Sequence, residues 1–291
     1  MVYELAIIGG GPAGVAAGVY ASRKQLRSVF ITYDFNSQSS VSEDVQNWIG
    51  TISIKGTDLM KNLQEHLLAY ADNVIDVKEG EMVTLIKKSG ENFLIKTDKS
   101  EYEAKTILIA SGSNRKKLEI PGAAKFDNKG LTYCASCDGP LFAGKDVVVV
   151  GGGNAGFETA AQLLAYVKSV TLIENKDFFR ADAVTVKNLE KHPNLKLVKN
   201  AVPTRIEGDK FVSSFAYTDS LTGKEIVLPV EGIFVEIGAV PNTSFAKDLL
   251  PLNQYGQIPV DPRTQATSVA GVWSAGDCTD GLYHQNNIAA G

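Results

Sequence analysis

The sequence predicts an α/β fold built from two Rossmann-like dinucleotide-binding units, on three observations. The first is an internal repeat: Glu4 to Gly14, ending in Gly9-Gly10-Gly11-Pro12-Ala13-Gly14, matches Asp146 to Gly156, ending in Gly151-Gly152-Gly153-Asn154-Ala155-Gly156. The second is context, since an apolar run precedes each glycine turn and an alanine-rich stretch of helical periodicity follows it. The third is a segment of short alternating strands with turn signals after each copy.

Each repeat opens with a short continuous apolar run, the pattern of a strand buried on both faces of a parallel sheet. The stretches 15–24 and 157–167 predict helices, and Val29 to Thr32 and Val170 to Ile173 predict the next strands. Met82 to Lys87 and Phe93 to Thr97 flank Ser89-Gly90 as a hairpin. Phe211 to Asp219 and Ile226 to Val230 flank Thr222-Gly223 in the same way. Each meander leads to an apolar strand ending in glycine, Thr106 to Gly112 and Gly232 to Gly238. A further helix is predicted from Asp58 to Tyr70, with Thr57 as its N-cap.

At 291 residues the chain is about two domains long, taking roughly 150 residues per domain. Its 44% apolar and 21% charged residues are the balance of a globular protein, and a net charge of −4 removes any whole-chain electrostatic case for nucleic acid. The longest apolar stretch, Val147 to Val167, is interrupted by Asn154, Glu158 and Gln162, so no membrane span is expected. Leu5 to Ile8 is too short for a signal-peptide core. These readings make a cytoplasmic location the expectation. Of three cysteines in a reducing compartment, a close pair points to catalysis or metal binding.

The chemistry lies in four motifs. In each glycine turn the first glycine (Gly9, Gly151) permits the tight bend, and the second (Gly11, Gly153) lets backbone approach a pyrophosphate. The third (Gly14, Gly156) lets helix and strand pack closely, with phosphate on the helix N-terminus. Two dinucleotides are implied. An acid about 20 residues on should bind a ribose, and in the second unit it is Glu174. A carboxylate there opposes a 2′-phosphate by about 1–4 kcal/mol for unit charges ~4 Å apart at effective dielectrics of about 80 to 20, which favours NADH. Lys176 and Arg180 either soften that repulsion or belong to a solvated loop. In the first unit Tyr33 takes the acid's place, with Asp34 beside it as the candidate.

Tyr133-Cys134-Ala135-Ser136-Cys137-Asp138-Gly139-Pro140 is the sharpest feature. Cys134 and Cys137 have the spacing of a dithiol that opens and closes a small disulfide loop. Zinc would need four ligands, and only Cys278 and the scattered His66, His192 and His284 remain. Asp138 is either a proton donor or a turn former. Gly271 to Asp277 reads as a strand running into Gly276 and Asp277, followed by Cys278 as a small buried residue. His284 and Gln285 come next, with a local packing role the alternative to catalysis for His284.

Taken together, these motifs resemble the low-molecular-weight thioredoxin reductases and the matching C-terminal portion of the alkyl hydroperoxide reductase flavoprotein. The resemblance runs from Glu4 to Gly291 through GGGPAG (9–14), ASG (110–112), CASCDGPLFAGK (134–145), GGGNAG (151–156), PNT (241–243) and AGD (275–277). It implies two three-layer ββα domains, one inserted in the other. The FAD-binding domain would be 1–114 plus 242–291, and the NAD(P)H-binding domain 115–241 would carry the redox pair. FAD would be held by Gly9, Gly11, Pro12, Ala13, Gly14, Asp34, Gln38, Asn47, Ala110, Gly112, Gly276, Asp277 and Gln285. The nicotinamide cofactor would be held by Gly151, Gly153, Asn154, Ala155, Gly156, Glu174, Lys176 and Arg180. Cys137 would face the flavin, Cys134 would attack the protein substrate, and Asp138 would act as acid.

Three departures from the thioredoxin reductases accompany the likeness. Glu174-Asn175-Lys176 stands where they carry His-Arg-Arg, again pointing to NADH. Asn36-Ser37-Gln38 replaces a Gly-Gly-Gln, and relatives continue past Gly291 into a terminal helix beside FAD. The resemblance implies electron flow from NAD(P)H through FAD and Cys134–Cys137 to a thioredoxin-like or glutaredoxin-like carrier, with rotation of the inserted domain between steps and a homodimeric assembly. The alternatives are a related flavoprotein reduced by ferredoxin and a non-enzymatic CxxC module that binds metal or senses redox state.

Overall fold

The apolar run before the first glycine turn forms strand β1 (Val2–Ile8), and the alanine-rich stretch after it forms helix α1 (Pro12–Arg23). The computed structural model describes residues 1–41, 45, 47–282 and 285–291; His284, singled out above, lies outside the described residues. From α1 the chain continues into β2 (Ser28–Thr32), α2 (Gly56–Ala71), β3 (Ile75–Glu79), β4 (Val83–Ser89), β5 (Asn92–Thr97) and β6 (Glu101–Ile109). It leaves this first unit at β7 (Ser113–Arg115).

The second unit runs through α3 (Ala123–Phe126), β8 (Leu131–Thr132), α4 (Ala135–Asp138), β9 (Asp146–Val150), α5 (Asn154–Leu163), β10 (Ser169–Ile173) and α6 (Ala183–Leu189). It then adds β11 (Leu195–Val198), β12 (Ala201–Gly208), β13 (Val212–Asp219), β14 (Glu225–Pro229) and β15 (Gly232–Val235). The chain returns through β16 (Ala239–Pro241) to β17 (Val272–Ser274) and α7 (Asn286–Ala290). The two units comprise Met1–Asn114 with Val240–Gly291, and Arg115–Ala239.

In the first unit a seven-stranded sheet runs β3-β2-β1-β6-β5-β4, with β17 also paired to β6. Strand β6 does two jobs. Its first half pairs antiparallel with β5, from Glu101 to Ala104, and its second half pairs parallel with β17, from Ile107 to Ile109. The predicted meander is therefore continuous with the parallel sheet. All five residues of β2 are buried, as a strand covered on both faces requires. One face packs on α1 and α2 through Ile7, Val15, Val19, Phe30 and Leu67, and the other on a core around Ile86, Phe93, Ile95 and Ile107.

In the second unit a five-stranded parallel sheet runs β11-β10-β9-β15-β8, and the meander stands apart as an antiparallel sheet β12-β13-β14. Phe157, Leu163, Leu172 and Phe234 fill one face, and Phe126, Phe215, Tyr217 and Ile233 the other. The central strand, β1 or β9, has parallel neighbours on both sides in each unit. Both glycine turns thus open at a topological switch point, where open α/β sheets bind ligands. Among the described residues no helix is long and apolar enough to cross a membrane.

Three expectations need correction. The helices start earlier than 15 and 157, because their first turns use the glycine turns themselves: Val15 N–H donates to Gly11 O at 3.0 Å and Phe157 N–H to Gly153 O at 3.1 Å. Helix α5 also stops at Leu163, short of 167, in a turn over 164–166. Thr57 does not cap α2. The cap is Lys55, extended at φ −63° and ψ 142°, and its carbonyl accepts the first helical bond from Leu59 N–H at 2.9 Å.

A side-chain cap does occur at α6, where the Asp182 carboxylate accepts from the N–H groups of Val184 at 2.9 Å and Thr185 at 3.1 Å. Asp182→Ala is therefore expected to cost about 1 kcal/mol, whereas Thr57→Ala should stay within about 0.5 kcal/mol of the parent in urea unfolding.

Candidate functional site

The two glycine turns are built alike. Gly9 and Gly151 have φ of +118° and +122°, and a Cβ on either would lie 2.2 Å from Ala110 O or 2.3 Å from Glu236 O. Gly14 and Gly156 are tighter still: a Cβ there would lie 1.9 Å from Gly9 O and 1.8 Å from Gly151 O. The carbonyl of the glycine that follows each strand therefore rests directly on the helix. Gly11 and Gly153 are different. They are the N-caps of α1 and α5, and a Cβ on either would meet nothing within 4 Å. The space over each helix N-terminus is open on the side a phosphate would approach, so the residues present fit a dinucleotide in each unit.

In the first unit several predicted residues meet. The Gln38 carboxamide donates to Ser113 O at 2.6 Å, to Ser113 Oγ at 3.1 Å and to the Asp277 carboxylate at 3.2 Å. Asn47 Nδ2 donates to Gln285 Oε1 at 2.9 Å, and Asn287 Nδ2 donates back to Asn47 O at 2.5 Å. Ala110 N–H pairs with Ile8 O at 2.7 Å, while Gly112 and Gly276 take left-handed φ of +66° and +78°. A Cβ on Gly276 would lie 3.3 Å from Ala13 Cβ, which brings the C-terminal strand's end against the first turn of α1. Asp34 lies apart from that cluster. Its carboxylate accepts from Asn36 N–H at 2.8 Å, and its carbonyl holds the Thr32 hydroxyl beside Gly10. Pro12 occupies the first turn of α1, where a missing N–H costs nothing.

In the second unit Glu174 is only 3% exposed and works on the turn itself. Its Oε2 accepts from Gly152 N–H at 2.9 Å and its Oε1 from Lys176 N–H at 3.1 Å, with Arg180 Nη2 at 3.9 Å. A carboxylate offers about four acceptor sites, so capacity for a further donor remains. Lys176 contributes its backbone here, and its side chain is exposed. Arg180 N–H also bonds Gly152 O at 2.9 Å, and Asn154 Oδ1 accepts from Asp182 N–H at 2.8 Å. Ala155 and Gly156 complete the first turn of α5.

Cys134 and Cys137 are joined in a disulfide across α4, with Cα atoms 5.3 Å apart. Cys134 is the N-cap, and its Sγ accepts from Cys137 N–H at 3.2 Å. The Asp138 carboxylate accepts a short hydrogen bond from the Thr132 hydroxyl, whose oxygen in turn takes Cys134 N–H at 3.3 Å. Thr132 thus ties the acid to the first cysteine. Gln162 Nε2, from the last turn of α5, donates to Ala135 O at 3.3 Å. Cys278 is fully buried against Ser274 Oγ at 3.3 Å, and burial pushes its thiol up.

Two residues escaped the sequence reading. Glu236 follows β15 and lies beside the Gly151 turn, its side chain 9% exposed, with Arg115 Nη1 at 3.2 Å and the Thr159 hydroxyl donating at 2.9 Å. Burial raises its carboxyl above the ordinary glutamate range, against the pull of Arg115 and Thr159. A lone acid inside the apolar run Gly232 to Gly238 is the signal that could have found it. The other is Tyr166, whose Oη is buried without a hydrogen-bond partner among the described residues. No pattern flags it, because tyrosine in a turn after a helix is ordinary.

Fold and site define a dinucleotide-binding protein with a redox-capable cysteine pair in its second unit. The sequence profile of the pyridine nucleotide-disulphide oxidoreductases matches residues 3–291, and the chain belongs to this family. It is 38% identical over 292 residues to an NADH dehydrogenase of Bacillus subtilis (strain 168), and 38% identical over 290 residues to an alkyl hydroperoxide reductase component of Staphylococcus epidermidis. Each match covers 99% of this chain and 56% of the relative, so the chain spans about half the length of these proteins. Among solved structures it is similar to thioredoxin reductase from Giardia duodenalis, at TM-score 0.92 and 34% identity over 99% of this chain and 94% of that one. Thioredoxin reductase from Streptococcus pyogenes superposes at TM-score 0.88 with 29% identity and the same coverage.

Two outcomes follow from this geometry. Gly156→Ala should destabilise the protein by about 1–3 kcal/mol through overpacking, although alanine normally favours a helix, while Gly153→Ala should fall within about 0.5 kcal/mol of the parent. Denaturant unfolding without added nucleotide checks both. The raised carboxyl of Glu236 contributes stability that is present below the ordinary glutamate pKa of about 4.3 and lost as pH rises through its native value. Unfolding of Glu236→Gln measured from acid to neutral pH should therefore lack that decline.

Proposed function

We propose that this chain is a flavin-dependent disulfide reductase of thioredoxin reductase type, passing electrons from NADH through FAD and the Cys134–Cys137 pair to a thioredoxin-like or glutaredoxin-like protein disulfide. The observation that carries the reading is the Cys134–Cys137 disulfide with Asp138 beside it, in the same unit as the glycine turn and Glu174. In this reading the first unit holds FAD at Gly9 to Gly14, Ala110, Gly112, Asp277 and Gln285, and the second holds the nicotinamide dinucleotide at Gly151 to Gly156. When bound, the flavin would supply two-electron transfer between the nicotinamide and the disulfide.

Once the pair is reduced, the Cys134 thiolate attacks one sulfur of the partner's disulfide, forming a mixed disulfide and releasing one partner thiolate. The Cys137 thiolate then attacks Cys134 Sγ, which restores the intramolecular disulfide and frees the second partner thiolate. Each released thiolate takes a proton. Asp138, held by Thr132 and one residue from Cys137, is the group of this chain assigned to supply and recover one of them. As the cap of α4, Cys134 Sγ accepts an N–H donor, which favours its thiolate. Glu174 supports NADH as donor: its buried carboxylate already braces Gly152 and would oppose a 2′-phosphate.

Anaerobic stopped-flow mixing of the FAD-loaded protein tests the scheme. NADH should bleach the flavin at concentrations at least about tenfold lower than NADPH, the factor expected for about 1.4 kcal/mol of repulsion. Equal potency overturns the preference, and no bleaching by either favours the ferredoxin-reduced alternative. Cys134→Ser should keep flavin reduction and lose reduction of a thioredoxin disulfide; normal transfer by that variant removes Cys134 as the attacking thiol.

A further inference from the structure

Thr132 ends β8, where it lies opposite Phe234 of β15 and is buried. Its backbone is thus fixed by the sheet. Its hydroxyl sits between the acid and the first cysteine. Because Thr132 Oγ1 accepts Cys134 N–H at 3.3 Å, its one hydrogen serves the Asp138 carboxylate, to which it donates at Oδ2. Asp138 N–H donates in turn to Cys134 O at 3.1 Å. The acid is therefore held at both ends against one residue, its backbone directly on Cys134 and its side chain through Thr132.

This ring of hydrogen bonds distinguishes the two carboxyl oxygens. Oδ2 accepts from Thr132, so a proton carried by Asp138 belongs on Oδ1. Exchanging the two oxygens would break the bond to Thr132. The cysteines come from the loop, whereas Thr132 comes from a strand, so the acid takes its register from the sheet. A group that must meet a reacting atom within a fraction of an ångström is best held from such an element.

We propose that Thr132 is a positioning residue for proton transfer at the cysteine pair: its hydroxyl holds the Asp138 carboxyl so that Oδ1 gives its proton to the thiolate leaving the partner's disulfide. In that step the Cys134 thiolate forms an S–S bond to one partner sulfur, and the partner's own S–S bond breaks. The electron pair leaves on the other sulfur, which takes the Oδ1 proton and leaves Asp138 ionised until water restores it. The inference rests on the roles proposed above for Cys134 and Asp138.

The FAD-loaded protein, reduced anaerobically with dithionite and mixed in single turnovers with two disulfides, provides the test; acid quenching and alkylation give the thiols released. One substrate is a thioredoxin disulfide, whose alkyl thiolate needs a proton as it leaves. The other is an aromatic disulfide, whose thiolate leaves readily without one. Thr132→Val keeps the shape of the side chain and removes the hydroxyl. It should slow the thioredoxin reaction about tenfold and the aromatic reaction less than about twofold, and Thr132→Ser should restore the first. In an Asp138→Asn background Thr132→Val should add no further loss, since nothing is left for it to position. Equal slowing with both disulfides, an additive loss in the double variant, or a thioredoxin rate within about twofold of the parent overturns the inference. Thr132→Ala, which also lacks the hydroxyl, answers the same questions if the valine variant does not accumulate. An Asp138→Asn variant that reduces thioredoxin at the parent's rate removes the acid role, and this inference with it. Failure of the parent to reduce either disulfide instead sinks the redox role of the pair.

Discussion

The contact on which the structure depends is a carbonyl pressed against a helix that has no side chain there. In both units the carbonyl of the first glycine of the turn, Gly9 or Gly151, occupies the place a Cβ of Gly14 or Gly156 would need. Closing that gap draws the helix onto its strand and points the first N–H groups of the helix at the open side of the turn. The rest follows from this constraint. The second strand must lie where Thr32 and Glu174 brace Gly10 and Gly152, and the strand on the other side must bring Ala110 or Glu236 against Gly9 or Gly151. Close packing and the open helix N-terminus thus come from the same short turn, which is why the repeat is so legible.

The two units then diverge in what surrounds a common turn. In the first, β6 is long enough to serve both the parallel sheet and the meander, so the cluster of Gln38, Ser113 and Asp277 stands at the end of one continuous sheet. In the second, the meander is a separate sheet, and β15 ends in a buried acid held by Arg115 and Thr159. Arg115 is the first residue of this unit, so the ion pair ties the entering chain to the Gly151 turn. The cysteine pair is supported from two sides as well. Thr132 anchors Asp138 and the Cys134 backbone, while Gln162 donates to Ala135 O and the Tyr166 phenol packs beside Gly139.

Much of this was legible because its signals are short in sequence. Glycine spacing, an apolar run and an alanine-rich helix lie within a few dozen residues, and they specify strand, turn, helix and strand without long-range information. The short elements β8, α4 and α7 carry no such period, since strands of two residues and helices of four or five are stabilised by what they pack on. Thr57 shows the limit of local rules. A threonine ahead of an amphipathic stretch has the right chemistry for a cap, yet the backbone enters helical geometry two residues earlier, from Lys55.

By itself, the sequence determined the α/β class, the two glycine turns and the spacing of the cysteine pair, because each depends on residues adjacent along the chain. It also marked Glu174 as an acid at the ribose position. Only tertiary structure decided that this carboxylate is buried and already bonded to Gly152 and Lys176, that Gln38 meets Asp277 and Asn47 meets Gln285 from opposite ends of the chain, and that Glu236 sits beside the Gly151 turn and Tyr166 beside Gly139. Those outcomes depend on distances between residues up to 239 positions apart. No local pattern encodes such distances; they are set when the sheets close and the core takes up its volume.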